Sequence, residues 1–111
     1  MYALNCTEET VIEIKDGSSN TIEQQFVGSN KGGNCAVIHS EQKLTMIGSG
    51  SLKLVTNNSN ETRTKGLHVA TIANLIGVNI TLDVIDNSYI HAILVGSEST
   101  ASSTENITLK I

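Results

Sequence analysis

The sequence predicts an all-β fold, and specifically a small right-handed parallel β-helix, or β-solenoid, of about four coils. Its apolar runs are short and rich in β-forming residues, polar corners separate them, and a three-run module recurs imperfectly along the chain. The clearest copy of the module spans residues 36–55. Three runs per repeat indicate a triangular coil, and parallel crossover connections are almost always right-handed. An antiparallel β-sandwich is the alternative fold.

The first run of each repeat is placed by the apolar residue before a histidine or asparagine. The residues treated as equivalent are Leu4, Ile38, Leu67 and Ile90. Because side chains alternate between the two faces of a strand, we expect these anchors to point inward and the residues after them to point outward into solvent. The predicted outward row is Asn5, His39, His68 and His91.

The second and third runs follow at recurring distances from the anchors. Eight residues after the first three anchors stand Ile12, Met46 and Leu75, all apolar. The third runs are 20–22, 51–55 and 79–84. The alternation within these runs predicts a core. Its predicted members are Leu4, Ile12, Ile14, Ile22, Ile38, Met46, Leu54, Leu67, Leu75, Ile80, Leu82, Ile90 and Leu109.

The corners account for the unequal length of the repeats. Polar insertions at 28–34, 56–65 and 96–105 are rich in Gly, Asn, Ser and Thr, which suit surface turns. The chain has no proline, as expected where most strands must donate hydrogen bonds to both neighbours.

Composition limits the partners that the chain can have. We expect residues 1–111 to form a single solenoid domain within a longer exported protein. The net charge is −4 and only seven residues are basic, so we expect no nucleic acid partner. No apolar run approaches the ~20 residues that span a bilayer, so we expect no membrane insertion. Neither end has a capping helix, so we also expect end-to-end pairing of copies unless further coils cover the ends.

Two segments carry a family resemblance. Residues 44–54 followed by 66–69 resemble the L-T-I-x-G-x-G-x-L-x-V … G-I-x-x pattern of bacterial cell-surface carbohydrate-binding domains with a right-handed parallel β-helix. Residues 13–22 are similar to the D-G-x-N-T-I segment that opens those domains. The resemblance implies a bacterial protein at the cell surface or outside the cell, which binds acidic or β-linked plant polysaccharide.

The resemblance also implies calcium at Asp-rich corners. The matching corners here, 66–68 and 89–91, contain no aspartate. Asp83 and Asp86 beside Asn87 offer too few oxygens for calcium, which takes six or more, so we interpret them as a polar turn. The sequence therefore predicts no cofactor, and no clear motif supports a calcium site.

The predicted outward row is the one constellation with binding chemistry. Neighbouring strands lie ~4.8 Å apart, so the imidazoles of His39, His68 and His91 would lie within reach of one metal ion or one sugar. The alternative is that they are solvated side chains of a flat face. No carboxylate that could orient a metal-bound imidazole is apparent, which favours the solvated alternative.

Two classes of function fit this pattern. The first is a non-catalytic module that binds polysaccharide or mediates adhesion, with its predicted site at Asn5, His39, His68 and His91. The second is a fragment of a β-helix lyase or hydrolase, which needs a basic residue or a close carboxylate pair on one face. The sole arginine, Arg63, lies in an insertion, so we predict no enzymatic activity. A self-assembling surface stalk is a third possibility.

The two cysteines are not expected to form a disulfide. Cys6 and Cys35 are offset by five residues along their strands, on the order of 15 Å, against the ~7 Å that a disulfide tolerates.

Overall fold

The computed structural model describes residues 2–24, 35–58, 64–86, 90–96 and 108–110. This part of the chain consists of β-strands joined by corners, and no helix in it could cross a membrane. The strands are β1 (Tyr2–Cys6), β2 (Thr10–Glu13), β3 (Ser19–Gln24), β4 (Cys35–Ser40), β5 (Leu44–Ile47), β6 (Ser51–Asn58), β7 (Thr64–Val69), β8 (Ile72–Ile76), β9 (Asn79–Asp86), β10 (Ile90–Val95) and β11 (Thr108–Lys110).

The strands form three parallel sheets that the chain visits in turn. Sheet A has the order β1-β4-β7-β10, sheet B has β11-β8-β5-β2, and sheet C has β3-β6-β9. Every pairing between the described strands is parallel. The structure is therefore a solenoid like a β-helix, and the alternative of an antiparallel sandwich is wrong.

One turn of the chain through the three sheets forms a level: β1 to β3 form the first, β4 to β6 the second, β7 to β9 the third, and β10 and β11 belong to the fourth. The predicted register is confirmed through the first three levels. Leu4 pairs with Ile38 and Ile38 with Leu67 in sheet A. In sheet B, Ile12, Met46 and Leu75 align, which confirms the offset of eight residues. In sheet C, Ile22, Leu54 and Leu82 align. Equivalent apolar residues thus stack in columns, and each column contributes one side of the interior.

The predicted core is confirmed wherever its side chains are described. Ile38, Met46 and Leu54 of the second level are fully excluded from solvent. In the first level Ile14 is buried, whereas Leu4, Ile12 and Ile22 are only partly buried. The side chains of Ile90 and Leu109 lie outside the described part. The structure adds Val37, Leu44, Leu52, Val69 and Ala73 to the buried cluster.

Two kinds of hydrogen bond hold the corners together. After sheet A the same backbone bond recurs in successive levels, from Glu41 N to Cys6 O and from Ala70 N to Ser40 O. Between sheets B and C, Asp16 Oδ1 accepts hydrogen bonds from Ser49 N at 2.9 Å and Ser49 Oγ at 2.7 Å. These bonds satisfy polar groups where the strands end, so the corners repeat with the strands.

The register predicted for the fourth level is wrong. Ile93, not Ile90, pairs with Leu67, and Val95 pairs with Val69. Ile93 and Val95 pack against the core cluster. In the predicted register Ala92 would have stood beside Val69, and Ala92 is exposed. The observed register brings Ile93 and Val95 to the core, and the burial of these apolar side chains favours it.

Side-chain alternation also fails at one point in sheet A. Both Val37 and Ile38 belong to the core cluster although they are consecutive. In β7, the neighbour of β4 in sheet A, a Cβ on Gly66 would lie 2.3 Å from Leu82 Cδ2. Gly66 therefore also faces the interior. Consecutive residues here face the core, so the strict alternation of side chains is interrupted at this point of sheet A.

The cysteines follow the prediction. Cys6 and Cys35 are both buried and are not joined by a disulfide. Cys6 pairs with Ser40, and Cys35 pairs with Thr64. The offset along the strands therefore separates the two thiols as expected.

Candidate functional site

Three residues of the predicted outward row lie side by side on sheet A. Asn5 pairs with His39, and His39 pairs with His68. Asn5 Oδ1 accepts a hydrogen bond from His39 Nδ1 at 2.8 Å. The rings of His39 and His68 meet edge to face, with centroids 5.0 Å apart. The strand spacing thus brings these side chains into direct contact, as the sequence predicted.

His91 does not join this row. It pairs with Lys65, and Leu94 takes the place beside His68. The side chain of His91 lies outside the described part. The prediction that His91 continues the row is wrong, because the fourth level is shifted by three residues to bring Ile93 and Val95 to the core.

Tyr2 belongs to the site although the sequence did not indicate it. Its ring stacks on that of His39, with centroids 4.2 Å apart and planes inclined by 10°. Strict alternation would have placed Tyr2 on the same face as Leu4, toward the interior. The interruption of alternation in sheet A removes this constraint. Gly66, a glycine inside a strand, was a sequence signal of such an irregularity.

His68 is buried, which corrects the expectation of a solvated histidine. Only 9% of its surface is exposed, and His68 Nε2 donates a hydrogen bond to Gly96 O at 2.8 Å. His39 is half-buried and Asn5 is exposed. A ligand in solvent therefore has access to Tyr2, Asn5 and His39, whereas His68 contacts the ring of His39 and is shielded from solvent.

Charge and burial shift the titration of two groups in the site. Burial is the main reason that the pKa of His39 lies below its usual value, and nearby His68 and Lys65 lower it further while Glu41 opposes them. Burial also raises the pKa of the Tyr2 hydroxyl, with help from Cys35 and Glu41. At neutral pH both side chains are therefore uncharged.

The hydrogen bond to Asn5 defines the chemistry of His39. Because Asn5 Oδ1 can only accept, His39 Nδ1 carries the proton and Nε2 is the basic nitrogen. The site at neutral pH offers the ring of Tyr2, the amide of Asn5 and one imidazole acceptor. These groups suit binding by stacking and by neutral hydrogen bonds.

Within the described residues, no cluster of three or more His, Cys, Asp or Glu side chains could hold a metal ion. Asp83 instead lies 3.8 Å from Lys53, and Glu9 lies 3.6 Å from Lys43. The side chain of Asp86 and the whole of Asn87 lie outside the described part.

We expect His39 to make the fold less stable in mild acid. The folded-state pKa lies below the unfolded value of 6.5, so between these two values the unfolded chain binds more protons. The contribution of His39 to the free energy of unfolding should therefore fall as the pH falls through this window and should stay constant below it. Urea unfolding at several pH values, compared with His39→Gln, measures this contribution. Equal pH slopes for the two proteins would contradict the expectation.

Comparison of the chain with protein-family models, with curated proteins and with solved structures finds no match in any of the three.

Proposed function

We propose that this protein is a non-catalytic surface module that binds a polysaccharide on the outer face of sheet A. The observation that carries the proposal is the stack of Tyr2 on His39 beside the exposed amide of Asn5. A sugar ring has an apolar face and a rim of hydroxyl groups. An aromatic ring with a neighbouring amide and imidazole offers apolar contact and hydrogen bonds together.

The proposal extends to the architecture. We propose that the solenoid is a right-handed parallel β-helix of about four coils. The strands return to sheets A, B and C in a fixed order, and β10 and β11 extend sheets A and B, which supports this architecture. Such a frame suits a polymer, because its levels repeat along one axis as sugar units repeat along a chain. The resemblance of residues 44–54 and 66–69 to bacterial cell-surface β-helix domains supports the same function and an extracellular location.

Local charge bears on the class of polysaccharide. Glu41 is exposed and lies close enough to affect the pKa of both Tyr2 and His39. A carboxylate beside the site repels an acidic glycan, and neutral His39 gives it no positive charge. Lys65 is also close to His39, but it is completely buried. The family resemblance implies either an acidic or a β-linked polysaccharide. Because of the charge of Glu41, we propose that the ligand is a neutral β-linked polysaccharide.

We expect Tyr2→Ala to weaken binding to immobilised neutral β-glucans, β-mannans or β-xylans by about tenfold or more, because it removes the aromatic anchor. Binding of the purified domain to a glycan array identifies the polysaccharide, and calorimetry with that polysaccharide measures the loss. Tyr2→Phe should retain most of the affinity. Thr21→Ala, an exposed position on sheet C, is the matched control and should change nothing.

Three outcomes would contradict the proposal. Equal losses for Tyr2→Ala and Thr21→Ala would place the site elsewhere. New reducing or unsaturated ends in the incubated polysaccharide would show an enzyme. No binding to any glycan would leave a purely structural stalk as the better function.

A further inference from the structure

We propose that the outer edge of β3 is a docking site for an extended segment of another protein that carries lysine or arginine side chains. The segment would add to sheet C as a further strand. This inference is independent of the glycan site, which lies on sheet A.

The edge offers backbone groups for pairing. In the described part of the chain β3 is the terminal strand of sheet C, with β6 as its neighbour. Four of its six residues are exposed, and these include Asn20 and Thr21 at its centre. An edge strand of this length can accept a further strand through main-chain hydrogen bonds.

Apolar surface is available at the same edge. Ile22 is only partly buried, although its partner Leu54 is fully excluded from solvent. On the neighbouring edge strand Ile12 is likewise less buried than its partner Met46. In the described part of the chain Ile12 and Ile22 have a neighbouring strand on one side only, whereas Met46 and Leu54 have one on both sides. An added strand with an apolar residue beside Ile22 would supply the second neighbour.

Charge identifies the partner. Residues 2–24 contain five acidic side chains and one lysine, a net charge of −4 that equals that of the whole chain. The two acidic side chains on the edge strands β2 and β3, Glu13 and Glu23, are both exposed. Opposite charges across a strand pair stabilise it and like charges destabilise it. A strand with outward lysine or arginine side chains complements this edge.

A second copy of this chain fits the edge less well. Two such edges would bring two net charges of −4 together. The C-terminal third, residues 79–111, has four acidic side chains and one lysine, so a head-to-tail contact also joins acidic segments. Both arrangements are repulsive at low salt.

The register of sheet C defines a probe. Lys53 and Val55 of β6 pair with Thr21 and Glu23, whereas Leu54 pairs with Ile22. The peptide Ser-Leu-Lys-Leu-Lys-Thr-Asn follows this pattern and places its second lysine beside Glu23. Its acidic counterpart, Ser-Leu-Glu-Leu-Glu-Thr-Asn, has the same shape and the opposite charge.

The test titrates each peptide into the full chain at low salt and maps the backbone amide shifts by NMR. We expect the basic peptide to bind about tenfold more tightly than the acidic one and to shift the amides of β3. Glu23→Lys should reverse the preference, and circular dichroism confirms that this variant is folded. Glu23→Gln should weaken binding of the basic peptide. Asp83→Asn is its matched control and should not, because Asp83 lies in the same row of sheet C on the opposite edge.

Each remaining result overturns the proposal. Equal affinities for the two peptides would remove the role of charge. If Asp83→Asn lowers the affinity of the basic peptide as much as Glu23→Gln does, and the peptide shifts the amide signals of β9, the docking edge would be β9 and not β3. If neither peptide binds, the carboxylates of Glu13 and Glu23 would serve only to prevent other strands from pairing with this edge. Dimers of the chain alone at low salt would show that a second copy is the occupant.

Discussion

Met46→Asp is expected to unfold the domain. Met46 is completely buried at the centre of sheet B, between Ile12 and Leu75. A carboxylate there would lose its hydration without gaining a partner, at a cost of several kcal/mol. Small domains are stable by about 5–15 kcal/mol, so this loss is close to the whole stability. Far-UV circular dichroism and urea unfolding measure the result.

Two controls separate burial from the change of residue. Met46→Leu conserves volume and should cost less than about 1.5 kcal/mol. Val11→Asp puts the same charge on an exposed position of sheet B, where 63% of the valine surface is open, and should cost about 0.5 kcal/mol or less. A folded Met46→Asp protein with the stability of Val11→Asp would contradict the alignment of Ile12, Met46 and Leu75.

Gly48→Ala is expected to cost about 3 kcal/mol or more. Gly48 has a φ of 99°, which disfavours any side chain. A Cβ at this position would also lie 2.1 Å from Ile14 O in the corner of the preceding level. Two corners would have to move apart, which adds strain to the conformational penalty. Thermal and urea unfolding of the variant measure the loss.

Gly77 supplies a matched control in the same chain. Ile47 pairs with Ile76, so Gly48 and Gly77 follow equivalent positions of sheet B. Gly77 also has a positive φ, 66°, but its Cβ would meet nothing within 4 Å. Gly77→Ala should therefore cost only the conformational penalty, about 1–2 kcal/mol. Similar losses for the two variants would show that the close approach of the stacked corners has no energetic effect.

The candidate site was predictable only in part. The contact of Asn5, His39 and His68 follows from the register of three similar strands, which the sequence shows directly. Tyr2 could not be assigned, because strict alternation would have placed it on the same face as Leu4, and its ring instead stacks on that of His39 in the next strand of sheet A. The buried side chain of His68 donates its hydrogen bond to Gly96 O, 28 residues away along the chain. Neither contact leaves a local pattern in the sequence.

The amino-acid sequence by itself determined the all-β class, the three runs per repeat and the alignment of the first three levels. It could do so because alternation along a strand and recurrence along the chain are local properties that burial imposes on each repeat. The tertiary structure alone decided the register of β10, the burial of the consecutive residues Val37 and Ile38, and the ring stack of Tyr2 on His39. Each of these depends on which of several competing contacts buries the most surface, and that comparison exists only once the strands are side by side.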